Sequence, residues 1–525
     1  MSTTLYVLHH HEYLQSWQFA ALQDAVADQS INLHMLKLPG KDSAPSNLAT
    51  KWVKLADQKL FGHQNTALKA AAIDELQAER SQADNVAEIA AGIKALSDGK
   101  QALILNLSEW QQDLAIASAA GLPVLTPQLS SHADWRNTPP GLWEALRHEL
   151  VVGSRLQVSL PNEDRPRVSA LGYSRADGAS ALRNQDEAAW RAAGMLRREL
   201  ARIATSAPNW GALALDELSG NYGLPNLWQA FQQVPVHFAK RMLKARRLRG
   251  YLDQWILLIN RGQAGKLATD LPTFQRIIPD RDVFWADPFP VHRDGRDWIF
   301  IEEATFEPRR GHLAVIEIDQ AGQVIDHQVI LKTPYHLSYP NVFEHEGQWY
   351  MVPESGADRS IQLYRCTEWP GKWEKVMNMM QGPACYDSTF IEHDGKHWMF
   401  VNMQAYDGQG PDDELHLFYA DELLTDQWTP HPLNPIVSDV RCARQAGPIF
   451  KRDGDIYRPS QHGGGSYGNG THINRIDVLS TTEYAETRLE THYPDWDEEI
   501  TATHHLAESG GLTVADAVYR RPPGA

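Results

Sequence analysis

The sequence predicts a two-domain protein, in which an α/β Rossmann-like domain precedes an all-β five-bladed β-propeller. A phrase recurs through the C-terminal half: a small or acidic residue, a short apolar strand, a Gly-containing turn and an aromatic-rich strand. In the N-terminal half, strand-like and helix-like stretches alternate instead. Such alternation favours an open, mostly parallel sheet with helices on its faces.

The repeated phrase is read most clearly in four copies, followed by a weaker fifth. They are WADPFPVHRDGRDWIFIEE from Trp285, SYPNVFEHEGQWYMVPE from Ser338, YDSTFIEHDGKHWMFVN from Tyr386, AGPIFKRDGDIYRPSQ from Ala446 and ATHHLAESGGLTVADAVYRR from Ala502. The aromatic anchors of the first four recur at intervals of 52, 48 and 59 residues. Periods of this size indicate a radial array of small sheets, so five copies predict five blades. We expect the strand-like stretch LDQWILLINR from Leu252 to close the ring.

The N-terminal half predicts strands in LYVLHH, INLHMLKL, QALILNLS and LPVLTP, and helices at Leu14–Ala27 and from about Leu68 to Ser97. The Gly-rich phosphate fingerprint of dinucleotide-binding folds is absent, so we do not expect dinucleotide binding. The predicted organisation is an α/β domain at 1–186, a helical, charge-dense connector at 187–250 and the propeller at 251–525.

Composition excludes several classes of function. The formal net charge is −17, from 49 Lys and Arg against 66 Asp and Glu, so nucleic-acid binding is not expected. Cys366, Cys385 and Cys442 have no metal-type spacing, and their odd number disfavours a disulfide framework. The chain shows neither a signal-peptide pattern at its start nor an apolar run long enough to span a bilayer. These features predict a cytoplasmic protein.

The predicted connector ends in KRMLKARRLRG, and the cations from Lys240 to Arg249 form the strongest basic cluster of the chain. Two interpretations are open. The cations complement the dipole at a helix C-terminus, or they contact an anionic membrane surface or a phosphorylated substrate.

Six ordered phrases in the repeat region match a known family. They are WADPF at 285–289, HLSYP at 336–340, VPES at 352–355, YDSTF at 386–390, ARQAG at 443–447 and YRPSQ at 457–461. Through them, the region from about Trp255 to Arg521 resembles the propeller domain of plant glucosamine inositolphosphorylceramide transferases and of bacterial polysaccharide-locus proteins, itself similar to glycoside hydrolase family 43. The resemblance implies a carbohydrate-active enzyme of cell-surface glycan or glycolipid assembly.

The segment SSHADWRNTPPGLWEAL from Ser130 resembles the catalytic loop of formyltransferases. Ser131–His132 and Arg136–Asn137 are partial matches to that loop. The Asn expected two residues before the His is Ser130, and no Asp-x-Gly motif follows Gly153. The resemblance therefore implies a formyltransferase-like domain without its acid–base groups. We expect neither binding of a reduced folate nor formyl transfer.

Glycoside cleavage generally needs two carboxyl groups that flank the bond, one as base or nucleophile and one as acid. By resemblance to family 43, Asp287 in ADP matches the base, and Asp387 in YDSTF matches the carboxylate that orients the base and tunes pKa values. The acid is expected immediately before Gly447-Pro448, where this chain has Ala446. An alanine cannot carry the proton.

Two interpretations follow from the missing acid. In the first, another carboxyl group from a neighbouring blade donates the proton, and the candidates are Glu302, Glu303 and Glu354. In the second, the leaving group is a phosphate that needs no protonation, so Asp287 only has to activate an acceptor hydroxyl. Arg444 and Arg458 would then hold the donor phosphate.

The sequence therefore predicts glycosyl transfer from an activated sugar-phosphate donor to a glycan or glycolipid acceptor. The alternatives are a family-43-type hydrolase with a relocated acid and a non-catalytic glycan-binding protein. Further candidates for substrate binding are His336, Tyr339, Gln461 and His504. No organic cofactor is expected. A divalent cation in the propeller centre, with His336, His504 or His505 as ligands, stays open against satisfied core histidines.

Overall fold

The computed structural model describes residues 3–27, 31–39, 48–61, 66–96, 101–108, 110–130, 140–205, 210, 243, 246, 248–307 and 309–524. Contacts within the chain divide it into two compact units. The first comprises Met1–Leu243 with Tyr406–Gly410, and the second comprises Lys244–Ala405 with Pro411–Ala525. The formyltransferase-like positions Ser131–His132 and Arg136–Asn137 lie outside the described residues, as does most of the basic cluster at 240–249.

The first unit contains a seven-stranded sheet. In spatial order, its strands are Ala78–Gln82, Ile31–Lys37, Thr3–His9, Ala102–Asn106, Val124–Gln128, Val151–Ser159 and Arg167–Arg175. The first five strands run parallel, and the last two are antiparallel additions. The central strands are almost continuously apolar and buried, as expected for parallel strands with both faces covered. The predicted α/β architecture is confirmed.

Helices and a short hairpin complete this unit. The helices are Ser16–Ala27, Leu48–Phe61, Val86–Leu96, Asp113–Ala120, Leu142–Arg147 and Ala181–Thr205, with a 3₁₀ turn at Ile73–Glu75 and a hairpin of Tyr13–Gln15 with Ala70–Ala72. The single helix predicted from Leu68 to Ser97 is wrong. Asn85 Oδ1 accepts a hydrogen bond from the Glu88 N–H at 3.0 Å, and Glu88 accepts one from the Asp84 N–H at 2.8 Å, so an Asn85 N-cap starts the helix only at Val86.

The long helix Ala181–Thr205 crosses the predicted domain boundary at residue 186. Its apolar face, including Ala189, Leu196 and Leu200, is buried in the hydrophobic core of the first unit. Helical periodicity places these residues on one stripe, and burial of such a stripe stabilises a helix more than intrinsic propensity does. The first part of the predicted connector is therefore a core helix. No helix among the described residues is long and apolar enough to cross a membrane.

The second unit is a five-bladed propeller, as predicted. Blade 1 is Val283–Arg293, Arg296–Thr305, Gly311–Ile318 and Val324–Leu331; blade 2 is Ser338–His345, Gln348–Glu354, Ser360–Glu368 and Lys372–Gln381; blade 3 is Ala384–His393, Lys396–Gln404, Leu415–Ala420 and Thr429–Pro430; blade 4 is Phe450–Arg452, Asp455–Gln461, Thr471–Leu479 and Tyr484–His492.

Blade 5 joins the two ends of the propeller sequence. Its inner segments, Ile500–Ala502 and Leu506–Ser509, pair with Leu512–Arg521. The earlier strand Leu252–Arg261 then pairs antiparallel with Leu512–Arg521 along its full length, and Gln275–Ile277 forms the outer edge. The predicted ring closure by the strand from Leu252 is confirmed. This closure leaves the innermost strands free to build a site around the axis.

Candidate functional site

One backbone feature repeats on the innermost strands of blades 1 to 3. Asp287, Tyr339 and Asp387 have positive φ angles of 49°, 46° and 50°. Each lies in a β-bulge, where the register with the next strand shifts. Gly447 holds the same place in the blade 4 repeat, with a φ of 132°. A left-handed conformation disfavours a non-glycine residue by roughly 1–2 kcal/mol, and such strain concentrates at functional sites.

Asp287 is buried, and three neighbours fix its environment. Its Oδ2 accepts a hydrogen bond from the Tyr339 N–H at 3.2 Å, and its own N–H donates to Asp516 Oδ2 at 3.0 Å. The imidazole Nδ1 of His504 lies 3.7 Å from its Oδ1. Burial raises the pKa of Asp287 to about 7; the His504 charge opposes this rise, while the Asp387 carboxylate adds to it.

Asp516 organises the blade 5 side of the site. Its Oδ2 accepts a hydrogen bond from His504 Nδ1 at 2.8 Å, and its Oδ1 accepts from the backbone N–H groups of His504 and His505 at 3.1 and 3.0 Å. Burial disfavours a charged imidazole, but the carboxylates of Asp516 and Asp287 outweigh it and raise the pKa of His504 to about 9. His504 is therefore a cation at neutral pH, and it lies between two acids.

Arg444 is the second buried cation and bonds three carboxylates. Its Nε donates to Asp387 Oδ2 at 2.5 Å, its Nη1 donates to Asp412 Oδ1 at 3.1 Å, and its Nη2 lies 3.5 Å from Glu354 Oε2. Glu354 belongs to blade 2, whereas Asp387 and Asp412 belong to blade 3. Arg444 therefore ties together acids from two blades.

Asp387 keeps one oxygen available. Its Oδ1 is buried and has no hydrogen-bond partner within the described part of the chain, whereas Oδ2 is bound to Arg444. Burial raises the pKa of Asp387 to about 6, although the Arg444 charge opposes the rise. An unpartnered buried carboxylate oxygen in such a cluster is a group available to a ligand.

Glu302 and Glu354 lie on the second strands of blades 1 and 2, and both face the same cluster. Burial raises the pKa of Glu302 well above its ordinary value, with a further contribution from the Asp287 carboxylate. Burial also raises the pKa of Glu354, against the opposing charge of Arg444, while Ser338 Oγ donates to its Oε2 at 2.8 Å. Ionisation of Glu302 is therefore disfavoured by its surroundings.

Glu303 points to the opposite face of the strand, as the alternation of neighbouring strand residues requires. It accepts hydrogen bonds from Trp285 Nε1 at 2.8 Å and from His312 at 3.0 Å, and His327 lies 2.8 Å away. Burial opposes ionisation, but these hydrogen bonds lower the pKa of Glu303 to about 2. Glu303 is thus an ionised residue within blade 1, away from the cluster.

We call the buried groups around the axis the axial site. It comprises six acids and two cations: Asp287, Glu302, Glu354, Asp387, Asp412 and Asp516, with Arg444 and His504. Burial, together with repulsion among neighbouring carboxylates, is the physical origin of the raised pKa values of Asp287, Glu302, Glu354 and Asp387.

Arg458 and Tyr339 do not have the substrate-binding roles predicted for them. Arg458 is fully buried and donates to Glu486 at 2.8 and 2.6 Å and to Gln445 Oε1 at 2.9 Å. The Tyr339 hydroxyl is buried too; it donates to Gly447 O at 3.0 Å and bonds Thr389 Oγ1 at 2.9 Å. Arg458 is therefore an internal cation of blade 4, and Tyr339 links blades 2, 3 and 4.

The remaining predicted positions lie at different depths. His336 is at the rim, with 41 % of its side chain exposed and its Nε2 3.5 Å from Glu302 Oε1. Burial, with the charges of Arg309 and Arg444, lowers the pKa of His336, so the ring is neutral. Gln461 is buried, and its N–H donates to the Arg444 carbonyl at 2.8 Å.

Ala446 is 1 % exposed, and its backbone bonds Pro459 and Leu506. The place of the missing acid is therefore filled by packed backbone.

The axial site contains one set of atoms that could hold a divalent cation. Ligand atoms of Asp287, His504 and Asp516 lie within 4.8 Å of one another. Both Asp516 oxygens already accept hydrogen bonds, and the proton on His504 Nδ1 lies between the two acids. This donor set fits a charged histidine better than a metal ion.

Four residues of the site were not singled out from the sequence: Asp412, Asp516, Trp255 and Tyr467. Asp516 stands alone in the apolar strand Leu512–Arg521, and a single acid in a buried strand is a signal that could have identified it. Asp412 and Tyr467 lie in loops, where residue type predicts little about burial. Trp255 stacks on His504 with ring centroids 4.2 Å apart.

Comparison with known families agrees with the resemblance carried by the repeats. Residues 278–503 match the family model described as glucosamine inositolphosphorylceramide transferase 1, N-terminal. This segment contains blades 1 to 4 and the inner strand Ile500–Ala502 of blade 5. The resemblance of the propeller is confirmed, and the formyltransferase-like character of the N-terminal domain stays a prediction.

Two curated relatives match part of the chain. The glucosamine inositolphosphorylceramide transferase 1 of Oryza sativa subsp. japonica is 32% identical over 206 residues, which cover 39% of this chain and 27% of the relative. The protein of the same name from Arabidopsis thaliana is 32% identical over 209 residues, with the same coverage. This chain therefore spans about a quarter of the length of the curated relatives it matches.

Solved structures with a comparable architecture are distant. The catalytic domain of the Coprinopsis cinerea GH62 α-L-arabinofuranosidase is 14% identical, with a TM-score of 0.36, and the match covers 51% of this chain and 97% of that one. A GH43 β-xylosidase/α-arabinofuranosidase from a compost metagenome is 14% identical, with a TM-score of 0.33 and coverages of 50% and 94%.

Proposed function

We propose that the axial site transfers a glycosyl group from an activated sugar-phosphate donor to a hydroxyl group of a glycan or glycolipid acceptor, with Asp287 as the general base. The observation that carries this proposal is the environment of Asp287: it is buried, it lies in a strained bulge, and its pKa is about 7. A general base is most effective when its pKa is near the working pH. Buried, perturbed carboxylates also concentrate at functional sites.

The neighbours of Asp287 suit this role. The Tyr339 N–H orients the carboxylate, and the His504 cation 3.7 Å away favours its ionised form. In the proposed step, Asp287 takes the proton of the acceptor hydroxyl while the acceptor oxygen bonds to the anomeric carbon of the donor. The bond from that carbon to the phosphate oxygen breaks, and the phosphate leaves with the electron pair.

Two further points support transfer over hydrolysis. Ala446 occupies the place where an acid would protonate a poor leaving group, whereas a phosphate leaves without strong protonation. The rice and Arabidopsis relatives are named as transferases. A glycolipid acceptor for this chain is inferred from that name and belongs to the proposal.

The donor phosphate requires a different cation from those predicted. Arg444 is already bonded to three carboxylates and Arg458 to Glu486, so neither is available to an anion. Arg309 is exposed, lies 5.5 Å from the Phe284 ring and is close enough to Glu302 to lower its pKa. We therefore place the phosphate at Arg309, on the rim, outside the acid-rich floor.

A second candidate is hydrolysis of an unactivated glycoside. The raised pKa of Glu302 favours it, because burial that disfavours the ionised carboxylate suits a general acid. Asp287 would then be the base or the nucleophile.

Turnover assays with nucleotide sugars and lipid-linked sugars test the proposal. Asp287→Asn should lower turnover at least about 10²-fold in a variant that still unfolds cooperatively. Asp394→Asn is a matched control, since Asp394 also has a positive φ (50°) but lies in an exposed hairpin turn of blade 3. Release of free sugar from aryl glycosides without activated donors would favour the hydrolase. Sugar binding without turnover in the wild type would leave a glycan-binding protein.

A further inference from the structure

A glycine-rich loop brings one aromatic side chain to the axial site. Residues 463–470 read GGGSYGNG and connect the strands Asp455–Gln461 and Thr471–Leu479 of blade 4. Tyr467 is the only large side chain among these eight residues. A loop of this composition has little side-chain packing of its own, so its backbone contacts determine where Tyr467 lies.

The backbone of the loop is held at several points. Gly463 N–H donates to Val440 O at 3.0 Å, His462 N–H donates to Gly470 O at 2.8 Å, and Thr503 N–H donates to Gly468 O at 2.8 Å. Gly468 has a φ of 67°, and a Cβ there would lie 3.2 Å from the Trp255 ring. The loop is therefore pinned closely against blade 5 directly beside Tyr467.

Tyr467 forms part of an aromatic wall beside the carboxylates. Its ring meets His504 edge to face, with centroids 5.2 Å apart, and meets Trp255 in the same manner at 6.3 Å. Despite these contacts, 40% of Tyr467 is exposed.

The glycosyl transfer proposed above requires the sugar ring to be held at a defined angle to Asp287. Carboxylates bind hydroxyl groups but leave the C–H face of a pyranose uncovered, and aromatic side chains cover apolar surface at low conformational entropy. The described part of the axial site supplies carboxylates, a guanidinium and an imidazolium, and Tyr467 adds an exposed aromatic surface to them.

We propose that Tyr467 is a positioning residue, on which the C–H face of a pyranosyl group stacks while its anomeric carbon faces Asp287. This inference rests on the proposed function and adds a substrate class to it: pyranosides with one uninterrupted face of ring C–H groups. The anchored glycine-rich loop sets the angle of the platform, because Gly468 has a left-handed φ of 67° and a Cβ there would lie 3.1 Å from the Ala502 Cβ and 3.2 Å from the Trp255 ring.

Binding measurements test this proposal without depending on turnover. The probes are the 1-phosphates of glucose, galactose, mannose and N-acetylglucosamine, measured by calorimetry and saturation-transfer NMR. Tyr467→Ala should raise the dissociation constant of the probe that binds best at least about tenfold. In Tyr467→Phe, the dissociation constant should stay within about twofold of the wild-type value. Saturation should be strongest at the ring protons of one sugar face, and this pattern should be lost in Tyr467→Ala.

Two controls separate positioning from stability. Tyr13→Ala removes a comparably exposed tyrosine (47%) of the first unit, which is also packed on a histidine. This substitution should leave the dissociation constants of the probes unchanged. Gly468→Ala should weaken binding with Tyr467 intact, because the loop has to shift. If the wild type binds a probe and Tyr467→Ala binds it equally well, the platform is refuted while the proposed function stands. If the wild type binds none of the probes, the platform is refuted, while turnover with nucleotide sugars and lipid-linked sugars decides the proposed function separately.

Discussion

Arg444 and Asp387 form the ion pair around which the axial site is organised. The guanidinium Nε donates to Asp387 Oδ2 at 2.5 Å, and both side chains are more than nine-tenths buried. Arg444 also bonds Asp412 and approaches Glu354. A cation with three anionic partners in a buried site compensates charges that the fold otherwise could not retain in ionised form.

Removal of Arg444 is therefore expected to destabilise the propeller strongly. Arg444→Met leaves Asp387, Asp412 and Glu354 buried without their counter-ion, and breaking such a pair destabilises by about 3–5 kcal/mol. Denaturant unfolding at pH 7 measures this loss. Arg475→Met is the control: Arg475 pairs with Asp477 at 2.7 Å on the surface of blade 4, so this substitution should destabilise the protein far less than Arg444→Met.

A double variant makes the expectation sharper. If buried charge is the cause, Asp387→Asn should restore part of the stability lost in Arg444→Met, since it removes one of the uncompensated acids. Additive losses in the double variant would contradict the role given to this ion pair.

The Tyr339 hydroxyl should contribute to stability through its contacts with other blades. Tyr339→Phe removes the bonds to Thr389 and to the N–H and C=O of Gly447, and it leaves buried backbone groups unsatisfied, which costs about 1–3 kcal/mol. Tyr457→Phe is the matched control, because the Tyr457 hydroxyl makes only a 3.5 Å contact with Asp455. Equal unfolding free energies for the two variants would show that the Tyr339 hydroxyl does not stabilise the propeller.

The architecture could be predicted from the sequence because the repeat encodes it locally. Each copy contains its own alternation and turn, so the number of blades, their inner strands and the closing strand from Leu252 follow from the chain itself. The charge density of the sequence after residue 186 predicts a connector, although residues 187–205 belong to the long helix from Ala181. Its buried face became evident only from packing against the first unit.

The site was predictable only where the motif specifies a residue. Asp287 and Asp387 follow from the phrases, and the structure brings them together with Glu302 and Glu354. Ion pairing between distant segments cannot be inferred from spacing. Arg458 pairs with Glu486, which is 28 residues away, so its availability to a phosphate was predicted wrongly.

Glu302 and Glu303 should respond in opposite ways to the same substitution. Glu302→Gln replaces a carboxyl group whose ionisation burial already disfavours, so the unfolding free energy should change little, while turnover should fall if Glu302 donates a proton. Glu303→Gln removes an anion that bonds Trp285 and His312, so stability should fall with turnover per folded molecule unchanged. Unfolding curves and turnover at pH 7 for both variants test this contrast.

The charge on His504 should make the unfolding free energy fall as the pH becomes alkaline. Its pKa rises from the model-compound value of 6.5 to about 9 in the folded protein, because Asp516 and Asp287 outweigh the effect of burial. A raised pKa contributes stability that is present below pH 6.5 and lost as the pH rises through about 9. The unfolding free energy of the wild type relative to His504→Gln should therefore fall across that window, and a constant difference would contradict a charged His504.

Asp287 should determine the pH dependence of turnover. Burial raises its pKa to about 7, so the fraction in the base form, and with it the rate, should rise through pH 7 and level off above it. The stability effect has the opposite sense: between the ordinary value of 3.8 and about 7, the native state holds a proton that the unfolded state has released, so unfolding free energy contributed by Asp287 falls as pH rises. Asp287→Asn should remove both dependences, the rate limb in kinetic assays and the stability slope in denaturant titrations from pH 4 to pH 8. Because Asp387 also titrates near pH 6, the rise of the rate with pH should move to lower pH in Asp387→Asn, in which one neighbouring negative charge is gone.

Two outcomes would contradict these expectations. If the rate still rises through pH 7 in Asp387→Asn, the two carboxyl groups do not titrate as one cluster. If the residual activity of Asp287→Asn keeps the same pH dependence, the base is another residue.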